Sequence, residues 1–197
     1  MKLKKIKNKI FADPFCNKKS NYLKRVGYFS GTFDPFHNGH MEVIKLALGY
    51  VDEIWIQPHN FNPKKNPVDI VHRMYMISLA TENISNAYLL DYPQKLSWDK
   101  YKLMENFENG IEELTIVDII GQDHLKKTIE RGTIRDTCCV TRKDFQMIQH
   151  PKIKLIKGYH EGVSSSKIRE QIRLGDYKGL ELDSSILAYI LENQLYQ

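Results

Sequence analysis

A chain of 197 residues, 42% hydrophobic and 27% charged, is long enough to bury a core and falls in the size range of one domain. Three cysteines, Cys16 and the adjacent Cys138 and Cys139, are an odd set without C-x-x-C spacing, which argues against a disulfide framework or a zinc knuckle. No apolar run approaches the roughly 18 residues of a membrane span, and the opening MKLKKIKNKI lacks the apolar segment of a secretory signal, so a cytoplasmic protein is expected.

The formal charge of +5 is unevenly spread. Residues 1–25 carry nine lysines and arginines against Asp13 alone, a net +8, which leaves −3 for the remaining 172. Residues 1–24 are therefore expected to form a basic, flexible N-terminal extension, more often a solvated tail than a segment that binds RNA or anionic lipid. Residues 25–197 are expected to be the folded domain.

Along that domain, strand-length apolar runs alternate with helical periodicity. Strands are predicted at Val26–Phe29, Glu53–Gln57, Ala87–Asp91, Thr115–Gly121, Thr137–Thr141 and Lys152–Lys157. Helices are predicted at Asn38–Leu48, Asp69–Glu82, Tyr101–Phe107, Asp123–Glu130, Ser164–Leu174 and Ser184–Leu191. Strands with near-continuous apolar runs, separated by helices, require crossover connections, so the fold class is α/β with a doubly wound parallel sheet. Ligands of such sheets sit beyond the carboxyl ends of the strands.

The segment GYFSGTFDPFHNGHM, Gly27 to Met41, lies at such an end. Gly31 is expected to take backbone angles closed to bulkier residues and so to turn the chain sharply. The helix that follows directs its N-terminal amides and the positive end of its dipole at the same place, which favours an anion. His37 precedes that helix and His40 lies in its first turn, where both can donate to a phosphoryl group. Paired histidines are often only surface or core residues, but the length of this string favours anion binding. No third ligand adjoins the pair at the spacing a zinc site needs.

A second cradle is read at VSSSKIRE: Ser164, Ser165 and Ser166 supply a helix cap and donors, and Arg169 lies one turn on. The plain alternative is an ordinary capped helix. Asp123, after Gly121 at the end of a strand, is read either as a binder of ribose hydroxyls or as a helix cap. Trp98 is read either as a platform for a flat ring or as core. Lys65, in a proline-rich loop, is by itself an ordinary solvated lysine. Cys138 and Cys139 are strand filler.

GTFDPFHNGH resembles the signature of the HxGH nucleotidyltransferases. IWIQPHNFNPKKN, HRMYMISLA, IIGQD, VSSSKIR and YILENQLY resemble, in the same order, segments of the nicotinate/nicotinamide mononucleotide adenylyltransferases across residues 26–197. The resemblance implies a Rossmann-like nucleotidyltransferase fold and adenylyl transfer from ATP to a pyridine mononucleotide with release of pyrophosphate. It implies catalytic roles for His37, His40 and Arg169. It implies ATP contacts from Ser30, Gly31, Thr32, Phe33, Gly39, Gly121, Asp123, Ser164, Ser165 and Ser166, and substrate contacts from Lys65, Trp98, Asp99 and Arg142. Departures are Lys64 where histidine is usual, Ser30 for glycine, Ser166 for threonine, and Ser97-Trp98-Asp99 for serine-tyrosine-threonine. Asp99 near the ring would repel a pyridine carboxylate and accept from an amide, which points to acceptance of the amide form.

No activated nucleophile or paired carboxylate is apparent, and none is needed where a mononucleotide phosphate attacks an already positioned ATP. Mg2+ is expected to arrive on ATP, with no protein-bound metal site or organic cofactor. Partners are limited to the two nucleotides. No nucleic acid is expected for the core domain, and a homo-oligomer is compatible with such a chain. Pantetheine-phosphate adenylyltransferases share the opening motif, but Arg169 and YILENQLY favour the pyridine enzymes. Class I aminoacyl-tRNA synthetases need more chain than 197 residues. A non-catalytic nucleotide- or RNA-binding protein is the reading from another class.

Overall fold

The computed structural model describes residues 10–11, 24–60, 66–90, 99–110, 114–132, 135–142, 149–159 and 162–197. In chain order these form β1 (Ile10–Phe11), β2 (Lys24–Gly31), α1 (Asn38–Ala47), β3 (Glu53–Pro58), α2 (Ile70–Ala80), β4 (Ala87–Leu90) and α3 (Asp99–Gly110). Then follow β5 (Leu114–Gly121), α4 (Gln122–Glu130), β6 (Thr137–Thr141), β7 (Ile153–Lys157), α5 (Ser165–Arg173) and α6 (Ser184–Glu192). Each predicted strand and helix has its counterpart. β2 extends two residues beyond the expected span at both ends because it pairs on both sides, with β3 through Gly31 and with β5 from Lys24. β1 was not expected: Ile10 and Phe11, inside the basic segment, pair in parallel with Leu89 and Leu90 at the sheet edge.

All strand pairs of the sheet are parallel, in the order β1-β4-β3-β2-β5-β6-β7. The chain leaves β2 toward β3 and β4, then returns to place β5 on the other side of β2. The order of winding therefore reverses between β2 and β5, the point where, in such sheets, ligands bind beyond the carboxyl ends of the strands.

The period-two alternation of the strands explains the two layers. Phe29, Ile54, Ile56, Leu89, Val117, Ile119 and Val140 face one side, against Val43, Ile44 and Ala47 of α1 and Ile77 of α2. Val26, Tyr28, Trp55, Leu90 and Ile116 face the other, against Met104 of α3, while Leu125 of α4 covers Ile120, Cys139, Ile153 and Leu155. A third cluster joins Met76 of α2 to Ile168 and Ile172 of α5 and to Ile186 and Ile190 of α6. This last cluster docks the two final helices onto α2 and so beside the loop that leaves β2. Among the described residues no helix is long and apolar enough to cross a membrane.

Cys138 and Cys139 are fully buried, one on each face of β6. Burial pushes both thiols up to about 12 from an ordinary 9.0, opposed at Cys138 by Lys154 and reinforced at Cys139 by its neighbour. Such thiols are inert fillers. In a Cys16→Ser variant, a thiol reagent at neutral pH should label neither cysteine of the folded protein and both once urea unfolds it. The folded state keeps protons that the unfolded chain releases above pH 9, so the urea midpoint should fall as pH rises from 9 toward 12. A midpoint constant over that range would contradict it.

Candidate active site

The loop from β2 to α1 is built around aromatic rings. Gly31 stays in the extended strand and is needed for space: a Cβ there would lie 2.8 Å from the Phe33 ring. The left-handed residue is Phe33, with φ of 50°, followed by a cis Asp34–Pro35 bond. Gly31 was expected to make the turn through its own backbone angles; the structure corrects this, because the turn is made two residues later and the glycine admits the ring that stabilises it. Phe33 packs on Phe29 and Phe36 and meets His40 edge-on at 5.0 Å.

His37 is the N-cap of α1, and His40 stands three residues on. Their rings stack at 3.7 Å, 22° from parallel. The His37 N–H donates to Nδ1 of His40 at 3.2 Å, so a neutral His40 ring carries its proton on Nε2 as a donor. A Cβ on Gly39 would lie 3.2 Å from the His37 ring, so glycine leaves room for that ring, and it would stand in ordinary contact with Val163, 3.6 Å away in the segment before α5. The Asn38 N–H is already held by the Glu181 carbonyl at 3.2 Å, which leaves fewer helix amides for an anion than the sequence promises.

The second cradle meets the same loop. Ser164 caps α5 by accepting from the Lys167 N–H at 3.3 Å, and the Ser165 hydroxyl donates to the Pro35 carbonyl at 3.1 Å. Arg169 donates through Nη1 to the Asp34 carbonyl at 2.6 Å and through Nη2 to Ser166 at 3.3 Å, with Nη1 3.5 Å from the Asp34 carboxylate. Arg169 and Asp34 are 135 positions apart. The two histidines, the serines and the arginine thus converge on one turn at the end of β2, beside the reversal of strand order.

On the far side of that reversal, Gly121 ends β5 and caps α4, and among the described residues a Cβ there would meet nothing within 4 Å. The model for cytidylyltransferase-like proteins matches residues 28–171. A Clostridium botulinum protein named "Probable nicotinate-nucleotide adenylyltransferase" is 30% identical over 196 residues, covering 85% of this chain and 96% of the relative. A Flavobacterium johnsoniae protein of the same name is 26% identical, covering 88% and 99%. This chain belongs to the nicotinate/nicotinamide mononucleotide adenylyltransferase family. The fold is also that of the Plasmodium falciparum nicotinic acid mononucleotide adenylyltransferase complexed with NaAD, at a TM-score of 0.71 and 19% identity over 88% of this chain and 97% of that one.

Within this adenylyltransferase-family chain the remaining expected residues are placed as follows. Ser30 lies on β2 opposite Gln57, and Thr32 begins the turn. Asp123, exposed in the first turn of α4, is gripped by Arg142 at 2.9 and 3.2 Å, and the Arg142 N–H donates to Gln122 at 2.7 Å. Asp123 and Arg142 thus form an exposed pair just beyond the carboxyl ends of β5 and β6. Lys65 and Trp98 lie outside the described residues, and so does the Asp99 side chain, although Asp99 begins α3.

Two site-shaping residues were not singled out from the sequence as site residues. Arg73, only 1% exposed, donates to the carbonyls of Val68, Thr32 and His59 at 2.9, 2.8 and 2.8 Å, and to Asn60 at 3.5 Å. Burial lowers its pKa, opposed by the charge of Asp34. The available signal was an arginine in phase with Met76, Ile77 and Ala80 on the apolar stripe of its helix. Asp34, 4% exposed, accepts from Val68 N–H and from the Tyr196 hydroxyl. Arg73→Met would leave several buried carbonyls without donors, at about 1–3 kcal/mol each, so urea unfolding should show a loss of at least about 3 kcal/mol. A loss under about 1 kcal/mol would mean that water replaces the guanidinium.

Proposed function

We propose that this protein transfers the adenylyl group of ATP to the phosphate of a pyridine mononucleotide. An oxygen of that phosphate attacks the α-phosphorus. The bond from that phosphorus to the bridging oxygen breaks, and pyrophosphate leaves with the electron pair. The observation that carries the reading is the meeting of the α1 and α5 N-termini, with His37, His40 and Arg169, on a single turn beside the strand-order reversal.

Their division of labour follows from position. His40 presents Nε2 as a donor, since its Nδ1 is occupied by the His37 amide, and His37 stacks against it at the helix start. Donors fixed before substrate arrives need no reorganisation as negative charge builds on the transferring group, and one such donor is worth about 3–4 kcal/mol of barrier. Arg169 and the serines are suited to the phosphates from the opposite side, and the Asp123–Arg142 pair to the sugar or the second nucleotide. Magnesium carried with ATP would supply further charge neutralisation to the phosphates that His37, His40 and Arg169 are suited to meet. The mononucleotide phosphate is already an anion at neutral pH, so positioning and charge neutralisation supply the rate.

The names of the curated relatives support use of the nicotinate form, and Asp99 in the sequence points to acceptance of the amide form as well. We place catalysis in residues 25–197, because the histidines, Arg169 and, apart from Lys24 at the start of β2, the six strands from β2 to β7 lie there. A chain lacking residues 1–24 is expected to keep its activity.

Pyrophosphate release from magnesium–ATP should occur with nicotinate or nicotinamide mononucleotide and not with phosphopantetheine. Release with phosphopantetheine alone would reassign the substrate, and release with none would make the protein a binder. His37→Ala and His40→Ala should each lower turnover at least about a hundredfold, the scale of one lost transition-state donor, with melting temperatures within a few degrees of the parent. Near-normal turnover in both would remove the pair from the mechanism.

A further inference from the structure

The chain that follows α6 turns back on the active site. Leu195 is buried in the cluster of α2, α5 and α6, while Gln194 and Tyr196 adopt φ values of 52° and 65°. A bulky side chain rarely occupies that left-handed region, and such backbone persists only where the surroundings over-determine it. Here the turn delivers the Tyr196 hydroxyl to Oδ1 of Asp34 at 2.7 Å, across 162 positions of sequence. Burial and the Asp34 charge both raise the pKa of that hydroxyl, so it remains a donor throughout the working pH range.

Asp34 is a shared acceptor with a consequence for Arg169. Its Oδ1 takes the Tyr196 hydroxyl and the Val68 N–H, while Arg169 bonds its backbone carbonyl at 2.6 Å and stands 3.5 Å from Oδ2. The carboxylate is 4% exposed, so water is poorly placed to replace a lost donor. Deprived of the tyrosine, its best remaining donor is the guanidinium beside it, and a bidentate carboxylate pair would engage the face of Arg169 that an ATP phosphate needs.

We propose that Tyr196 is a positioning residue for adenylyl transfer: by occupying one oxygen of Asp34 it keeps Arg169 anchored through a backbone carbonyl and the Ser166 hydroxyl rather than drawn into a bidentate carboxylate pair, so that its guanidinium can turn to the phosphates of ATP. The inference rests on Arg169 binding ATP. Both are tested on the full chain by the dissociation constant of α,β-methylene-ATP, which is readable without turnover, and by steady-state kinetics. Tyr196→Phe removes one oxygen and should weaken analogue binding about tenfold, the scale of a hydrogen bond to a charged group, with KM for the pyridine mononucleotide within about twofold of the parent. In an Arg169→Met background the same change should alter analogue binding less than about twofold, whereas a tyrosine acting only through general stability would weaken it equally in both backgrounds.

Unchanged analogue binding in Tyr196→Phe, with Arg169→Met impaired, would overturn the role of Tyr196 and leave the proposed function standing. Unchanged binding in Arg169→Met would overturn both. Equal weakening in the two backgrounds, or a matching rise in KM for the mononucleotide, would make Tyr196 a structural residue only.

Discussion

One buried guanidinium fixes the turn on which the site is assembled. Arg73, on α2, reaches the carbonyls of Thr32 after β2 and of His59 after β3, and so clamps two neighbouring strand ends to one helix. The His59 N–H closes the same seam by donating to the Gly31 carbonyl at 2.8 Å. Loops at the carboxyl edge of a parallel sheet have no ladder partner of their own. A planar cation with several fixed donors satisfies three or four such carbonyls at once. With that clamp in place, the following residues can present two imidazole rings at a helix start without further adjustment.

The second constraint is charge neutralisation around Asp34. A carboxylate 4% exposed needs donors from every side, and it takes them from α2's leading segment, from α5 and from the chain after α6. These donors tie the final two helices to the first loop, and the apolar cluster of Met76, Ile168, Ile172, Ile186 and Ile190 supplies the burial that holds them there. The polar contacts set register and the apolar ones supply most of the free energy, at roughly 1.5–3 kcal/mol for each large side chain buried. Active-site geometry and global stability therefore share the same residues.

The site's own donors also serve structure. Ser164 caps a helix, Ser165 holds the Pro35 carbonyl, and His40 closes the first turn of α1. Sharing of this kind keeps the groups rigid before a nucleotide arrives, which lowers the reorganisation needed at the transition state. It also makes the two readings of VSSSKIR, cap or phosphate cradle, parts of one arrangement.

Much of this was legible in the chain. Alternation of apolar side chains specified buried parallel strands, and the spacing of His37 and His40 placed them on one helix turn, because both depend on periods of two and 3.6 that any local stretch reveals. Local pattern could not assign the role of Gly31, which turned out to be room for the Phe33 ring. Nor could it find β1, two residues in a lysine-rich segment whose pairing depends on an exposed sheet edge. The reversal of strand order between β2 and β5, the burial of Arg73, and the meeting of Asp34 with Arg169 and Tyr196 were decided by tertiary structure alone. Those contacts join residues up to 162 positions apart, and a charge so placed is stable only when every partner is already folded around it.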